Sequence, residues 1–340
     1  MSEARQTLRP GSTADPFGEH PARLQRRRVH LLGASFDFES PSAALLRLVD
    51  DAYAELPRHR LPGVTPRFRI RLQFTSGGRG TATTEPPAPH YHGGAGLLAA
   101  VMDADNFAAL CPDERSALVA ISRSALRHSP RLVRYELLEF AVFALAHRGL
   151  RLVSLHAACL GHARRGVLLI GESGAGKSVL SLHGALRGLD FLTEDSTFVD
   201  TRAMQATGIS SFLHLRPDAL RWLDDDALGR RIRRSPTIRR RSGVEKLEVD
   251  MRRIRPPARA PVTLAGIVLV SGRPAGKGAP LAPVGRRALL DRLESSQAYA
   301  AQQAGWSAFV KKAATLPAFE LRRASHPAAG AEALRDLLGR

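Results

Sequence analysis

The residues best suited to chemistry form one continuous stretch, Val167-Leu168-Leu169-Ile170-Gly171-Glu172-Ser173-Gly174-Ala175-Gly176-Lys177-Ser178. Its last eight positions fit the spacing G-x-x-x-x-G-K-[ST] without a mismatch. Each residue type has a physical reason to be there. Glycines let the main chain wrap closely around oxygens and adopt conformations closed to other residues. Successive N–H groups then point inward as a nest for anions, and the helix that follows turns its positive end toward the same place. Lys177 is positioned to reach the β/γ oxygens of a nucleotide, and the Ser178 hydroxyl to ligate Mg²⁺. The expected nucleotide contacts are Gly171, Ser173, Gly174, Ala175, Gly176, Lys177, Ser178 and Val179. The plain alternative is a glycine turn between strand and helix. Chance supplies the four fixed positions in under roughly one chain in a hundred, and a short apolar strand and a helix ending at Gly188 flank them here. Nucleotide binding is the stronger reading.

The loop specifies a nucleotide but not a reaction. An LSGGQ signature, an apolar run ending in Asp-Glu and an N-K-x-D element are all missing, which argues against an ABC-type ATPase and a GTPase. Two acids, Glu194-Asp195, instead close the segment after the helix. Phosphoryl transfer needs clamped phosphates, charge neutralised by Mg²⁺ and a carboxylate to take the acceptor's proton. Adjacent acids at a strand end can serve the last two needs. The bland alternatives are a solvated turn for these acids and a satisfied polar residue for His156, at the end of the strand before the loop.

Leu155-His156-Ala157-Ala158, Gly166–Ser178, Arg187-Gly188 and Leu192-Thr193-Glu194-Asp195 together resemble the core of the HPr kinase/phosphorylase family. The kinase-like relatives found with peptide-tailoring systems, such as lasso-peptide precursor kinases, are the nearest in pattern. The resemblance covers residues 132–200, extends to Leu213–Arg216 and Pro283–Leu290, and touches Leu31–Leu56 through Phe36-Asp37-Phe38-Glu39-Ser40. It implies an α/β fold, with a P-loop kinase core shared with phosphoenolpyruvate carboxykinase and an N-terminal α+β domain. It also implies ATP and Mg²⁺ as cofactors, and transfer of the γ-phosphoryl group to a serine-type hydroxyl of a peptide or small protein. His156 would support the reacting hydroxyl, Lys177 the phosphates, Glu194 would resemble the base, and Asp195 would join Ser178 at the metal. Three departures bear on this. Glu194 is one methylene longer than the usual Asp, which leaves Asp195 open as the base. His214 stands where the family has Glu, and the glycine-rich signature tied to phosphorylase activity and HPr is missing. They argue against a phosphorylase and against HPr as acceptor. A small-molecule kinase and a nucleotide-binding regulatory module without transferase activity remain the alternatives.

The charge balance concerns partners. A formal net charge of +18 comes from 50 Lys+Arg against 32 Asp+Glu. Only Lys177, Lys246, Lys277, Lys311 and Lys312 are lysines, so 50 − 5 leaves 45 arginines. Such a surface attracts anions. Arg230–Arg241 holds seven arginines in twelve residues and is expected to be a connection, either solvated or acting as a lid over phosphate through Lys246 or Arg241. Aromatics are only 6%, with no stacking stripe among the arginines, so specific nucleic-acid binding is not expected. Cys111 and Cys159 make no framework, and the twelve histidines show no metal-ligand spacing. No apolar run is long enough for a membrane span and no signal peptide is evident, so a cytoplasmic protein is expected, with a homo-oligomer left open.

The elements that must position these residues follow from periodicity. Residues 1–28 lack a hydrophobic period and read as a disordered basic tail. Residues 29–130 read as an α+β domain that could recognise substrate, and 131–340 as the kinase domain. Strands are predicted at Val29–Phe38, Arg67–Phe74, Leu97–Met102, Leu152–Cys159, Gly166–Ile170, Phe191–Asp200 and Leu264–Ser271. Helices are predicted after Ser40, from Pro112 or Asp113 into Ser124, and over Leu132–His147, Lys177–Arg187 and Pro217–Leu228. Three more are predicted over Arg286–Ser295, Ala298–Leu316 and Ala328–Gly339. Thr75–Gly94 reads as a loop.

Overall fold

The computed structural model describes residues 23–61, 66–75, 87–239, 241–276 and 278–339. It is a mixed α/β structure with several sheets, in two compact units. One unit holds Asp37–Asp51, Arg69–Val142 and the described residues up to 28; the other holds Val29–Phe36, Ala52–Phe68 and Phe143–Arg340.

The first elements are β1 (Gln25–Leu31), β2 (Ala34–Ser40), α1 (Ala43–Tyr53), β3 (Arg67–Phe74), β4 (His90–Gly94), β5 (Leu97–Val101), β6 (Phe107–Cys111) and β7 (Ser116–Ile121). They make a seven-stranded sheet in the order β1-β2-β3-β7-β6-β5-β4. In β3 the residues Phe68, Ile70 and Leu72 are buried and the arginines between them exposed, as period-two alternation requires. Helices α2 (Arg123–His128) and α3 (Pro130–Val133) follow. A π-helical turn at Arg134–Glu139 joins α3 to α4 (Phe140–Gly149).

Several expectations are corrected here. The single strand over 29–38 is a hairpin, turned at Leu32 (φ 59°) and Gly33 (φ 98°), the left-handed pair that tight hairpins require. Its first strand begins at Gln25, inside the stretch read as a tail; residues 1–22 lie outside the described residues. The helix expected from 112 is a turn and then β7, whose Ser-Ala-Leu composition reads as helical but which pairs with β3 and β6. Helix α2 starts only at Arg123, capped by the Ser122 side chain, which accepts from Ala125 N at 3.1 Å. Part of the loop read over 75–94 is β4, and residues 76–86 lie outside the described residues.

The second unit runs through β8 (Val153–His156), β9 (Ala158–His162), β10 (Arg165–Ile170), α5 (Lys177–Leu186), β11 (Asp190–Thr193), β12 (Ser196–Asp200), β13 (Gln205–Gly208) and β14 (Phe212–Leu215). It continues with α6 (Asp226–Arg233), β15 (Thr237–Arg239), β16 (Glu245–Asp250), β17 (Val262–Pro274), β18 (Leu281–Pro283), α7 (Arg286–Ser296), α8 (Trp306–Ala313), β19 (Ala318–Arg323) and α9 (Pro327–Gly339). The main sheet has the order β11-β9-β10-β17-β13-β12-β8, with β19 pairing to β17 and β18. Strands β10, β17 and β19 are parallel neighbours.

Both faces of that sheet are covered. Ala158, Leu160, Val167, Leu169, Val268 and Val270 point into one core with Leu180 of α5 and Leu334 of α9. Their chain neighbours Ala157, Cys159, Leu168, Ile170, Ile267 and Leu269 point into another with Leu289 of α7 and Phe309 of α8. Continuous apolar strands are what a doubly covered sheet demands. A smaller sheet, β14-β16-β15, joins the first core through Leu213, Leu215, Leu247 and Val249.

The arginine segment also departs from expectation. Asp225 caps α6, accepting from Ala227 N at 2.8 Å and Leu228 N at 3.0 Å, and the arginines of the last turn suit the helix dipole. Leu228 and Ile232 are buried beneath them. The run read as a connection is therefore mostly helix and strand, and the helix expected from Pro217 is a 3-10 turn at Pro217–Trp222 followed by α6. Two long predicted strands are broken, at Ala157 and at Glu194-Asp195, and the helix read over 298–316 is broken before Trp306. Among the described residues no helix is long and apolar enough to cross a membrane.

Candidate functional site

Strand β10 delivers the chain to Gly171, where a Cβ would lie 2.7 Å from the Val270 carbonyl oxygen on β17. A side chain there would push the loop off the sheet. Gly174 (φ 87°) and Gly176 (φ 103°) take the left-handed conformation, and α5 starts at the next residue. Ser173, Ala175 and Val179 flank them, so the eight residues expected around a nucleotide make one strand–loop–helix turn.

Lys177 curls back over this loop. Its ammonium donates to Gly171 O at 2.5 Å and to Glu172 O at 3.3 Å. Burial pushes its pKa down, opposed by Asp195 and Glu194, while the charge of Lys246 on β16 adds to the lowering.

Beside it, the Ser178 hydroxyl donates to Glu194 Oε1. The other oxygen of Glu194 accepts the His214 main-chain N–H at 2.7 Å, and His214 Nδ1 lies 3.4 Å from it. Glu194 is only 7% exposed. It holds this place because β11 ends at Thr193 and β12 resumes at Ser196, so the two acids occupy the break between strands. A close packing fixes the break: a Cβ on Gly208 of β13 would sit 2.2 Å from Thr193 Cβ.

Asp195 faces elsewhere. Its Oδ1 lies 2.8 Å from His156 Nδ1, and both side chains are open to solvent. The β12–β8 register, Ser196 opposite His156, brings them together. His156 is fixed from behind by the buried amide of Gln297: its N–H donates to Gln297 Oε1 at 2.9 Å, and its carbonyl accepts from Nε2 at 3.1 Å. Gln303 treats Ser154 the same way, at 2.9 Å for both bonds. Since β8 ends the sheet order, two side-chain amides stand where a further strand would pair.

The four residues proposed for catalysis, His156, Lys177, Glu194 and Asp195, thus meet around the start of α5, in two linked contacts: Ser178–Glu194–His214 and Asp195–His156. Sequence reasoning missed Gln297 and Gln303, which lie 141 and 149 residues from their partners, with no motif to signal them. His59 has a structural explanation. It is buried, its Nε2 donating to Ala258 O at 2.7 Å and its Nδ1 accepting from Thr207 Oγ1 at 2.5 Å. Among the described residues no three His, Cys, Asp or Glu side chains are grouped to hold a metal ion by themselves.

No family model matches the sequence, and no curated protein does. Among solved structures the chain is similar to the Hpr(Ser) kinase/phosphatase from Coxiella burnetii, with 12% identity and a TM-score of 0.29, over 54% of this chain and 94% of that one. So distant a likeness carries no functional weight.

Proposed function

We propose that this chain is an ATP-dependent kinase that transfers the γ-phosphoryl group to a serine-type hydroxyl of a peptide or small protein. One observation carries the reading: a buried carboxylate, Glu194, bonded to the hydroxyl of Ser178 in the first turn of the loop helix. Few structural needs call for a buried acid at that point. A nucleotide phosphate chain and its cation provide one.

In this reading the main-chain N–H groups of the loop and the start of α5 hold the phosphates. Lys177 exchanges its two carbonyl partners for phosphate oxygens. Ser178 and Glu194 would hold Mg²⁺, an ion that takes one or two protein ligands and shares its remaining positions with water and phosphate. Once bound, the ion neutralises charge on the transferring group. Asp195 takes the proton of the acceptor hydroxyl, with the His156 imidazole holding its carboxylate in place. This division reverses the sequence-based assignment of base to Glu194 and metal to Asp195, because Asp195 is the acid open to an incoming substrate. The peptide acceptor is the part that rests on the family resemblance alone.

The test is transfer of label from γ-labelled ATP with Mg²⁺ to candidate peptides, read beside direct nucleotide binding. The wild type transfers label. Asp195→Asn lowers turnover by about 10²–10⁴-fold and leaves nucleotide affinity nearly unchanged. Wild-type turnover in a Glu194→Gln, Asp195→Asn double variant, or no nucleotide binding by the wild type, overturns the proposal.

A further inference from the structure

The loop lysine is not the only cation at this site. Strand β16 pairs with β14 so that Glu248 stands opposite His214, whose main-chain N–H touches Glu194. Leu213, Leu215, Leu247 and Val249 turn to the core from one face of this small sheet. By alternation, His214, Glu248 and Lys246 share the other face, and the His214 ring, 3.4 Å from Glu194, shows that this is the face toward the site. Lys246 is two residues along β16 from Glu248, about 7 Å in an extended strand, within reach of a lysine side chain. It is half-buried.

Lys246 has no ion-pair partner among the described residues. Its charge is felt at Lys177, alongside the larger, opposing charges of Asp195 and Glu194. Two lysine charges at one site repel each other, a repulsion that Asp195 and Glu194 offset at Lys177 and that grows as water is excluded. An anion placed between them would reverse its sign. In a chain that uses 45 arginines and five lysines, a compact point charge at this position is also the exception.

We propose that Lys246 is the second cation of the nucleotide site and binds the terminal phosphate, so that the site distinguishes a nucleoside triphosphate from a diphosphate. Lys177, on the loop, serves the phosphates common to both nucleotides. Lys246, carried by β16 and not by the loop, serves only the third, the group on which charge develops during transfer. This inference rests on the nucleotide-binding reading above and adds to it a residue and a selectivity.

Affinities for ATP and ADP, measured calorimetrically with Mg²⁺, test it on Lys246→Met, which keeps the stem and removes the charge. ADP affinity is expected to stay within about twofold, ATP affinity to fall about tenfold, and turnover to fall about 10²-fold, the size of losing one donor to a developing charge. Lys246→Arg keeps the charge and is expected to retain most of the preference for ATP. Circular dichroism and a melting curve establish that each variant is folded; if Lys246→Met does not fold, the comparison is made on Lys246→Gln. Equal loss of ATP and ADP affinity, or no loss of either, overturns the role of Lys246 while leaving the nucleotide site intact. A wild type that binds neither nucleotide overturns both.

Discussion

Glu194 and Asp195 are adjacent in sequence yet face different partners, and that difference is where single substitutions will be most informative. Glu194→Gln keeps the shape and loses the charge beside Ser178, so the expected outcome is a higher Mg²⁺ requirement, by about tenfold, read from turnover against Mg²⁺ concentration. Asp195→Asn should leave that requirement unchanged. Lys177→Met should weaken ATP binding by at least about tenfold, since a buried ammonium held over the loop has no substitute in a methionine. The identities of Lys177 and Ser178 were legible because the spacing of a glycine loop fixes them locally. The bond between Ser178 and Glu194 was not. It depends on β11 pairing with β9 through a register shift between Phe191 and Thr193, which no local pattern encodes. Gln297 escaped notice for the same reason: a glutamine in a polar stretch looks like surface until its partner strand is known.

At the scale of elements, periodicity served well where one face meets water and poorly where none does. Arg67–Phe74 alternates cleanly because half of it is exposed, and its predicted bounds are those of β3. The stretch 152–159 is buried on both faces apart from His156, so no alternation marks its interruption at Ala157, whereas the interruption of 191–200 falls at the two acids themselves. The break after β11 is held by the contact of Gly208 with Thr193. Gly208→Ala should therefore cost about 1–3 kcal/mol of stability by overpacking, and lower turnover by displacing the acids, seen by urea unfolding and by label transfer. The helices α4 and α5 carry an acid liability. Burial, the first cause in each case, pushes His147 and His183 down to about 4 from 6.5. For His183, the positive charges of His326 and Arg187 add to the lowering. A histidine neutral when folded takes up a proton on unfolding, so stability is full above about pH 6.5 and falls as the pH drops toward 4. Each contributes up to about 3 kcal/mol over that window. Both ring nitrogens of His183 are buried without hydrogen bonds in the described structure, so His183→Leu should flatten the acid side of a stability–pH curve by about one proton's slope.

For the whole molecule, the charge of +18 predicts behaviour in solution more than fold. Binding to polyanions should be tight at low salt, fall steeply as salt rises, and show no sequence preference between nucleic acids, measurable by fluorescence titration across salt concentrations. Composition also left the membership of the second unit hidden. Residues 29–36 and 52–68 belong to it although the loop lies far along the chain. Phe36 stacks on Phe68 at 4.7 Å, and His59 bonds to Thr207 and Ala258. A fragment spanning 131–340 lacks these partners and is expected to melt at least about 10 °C below the full chain, or to be insoluble, in a thermal scan of both. The glutamine amides along β8 have a counterpart in time. A ribosome makes the chain from its N-terminus, at about 5–20 residues per second, and the histidine strand emerges long before residues 297 and 303 exist. Until those two amides arrive, the rim of the sheet offers open hydrogen-bonding groups to any passing strand. The segment that seals this rim is therefore made 141 residues after the strand position it covers, and the nascent chain stays adhesive until it appears.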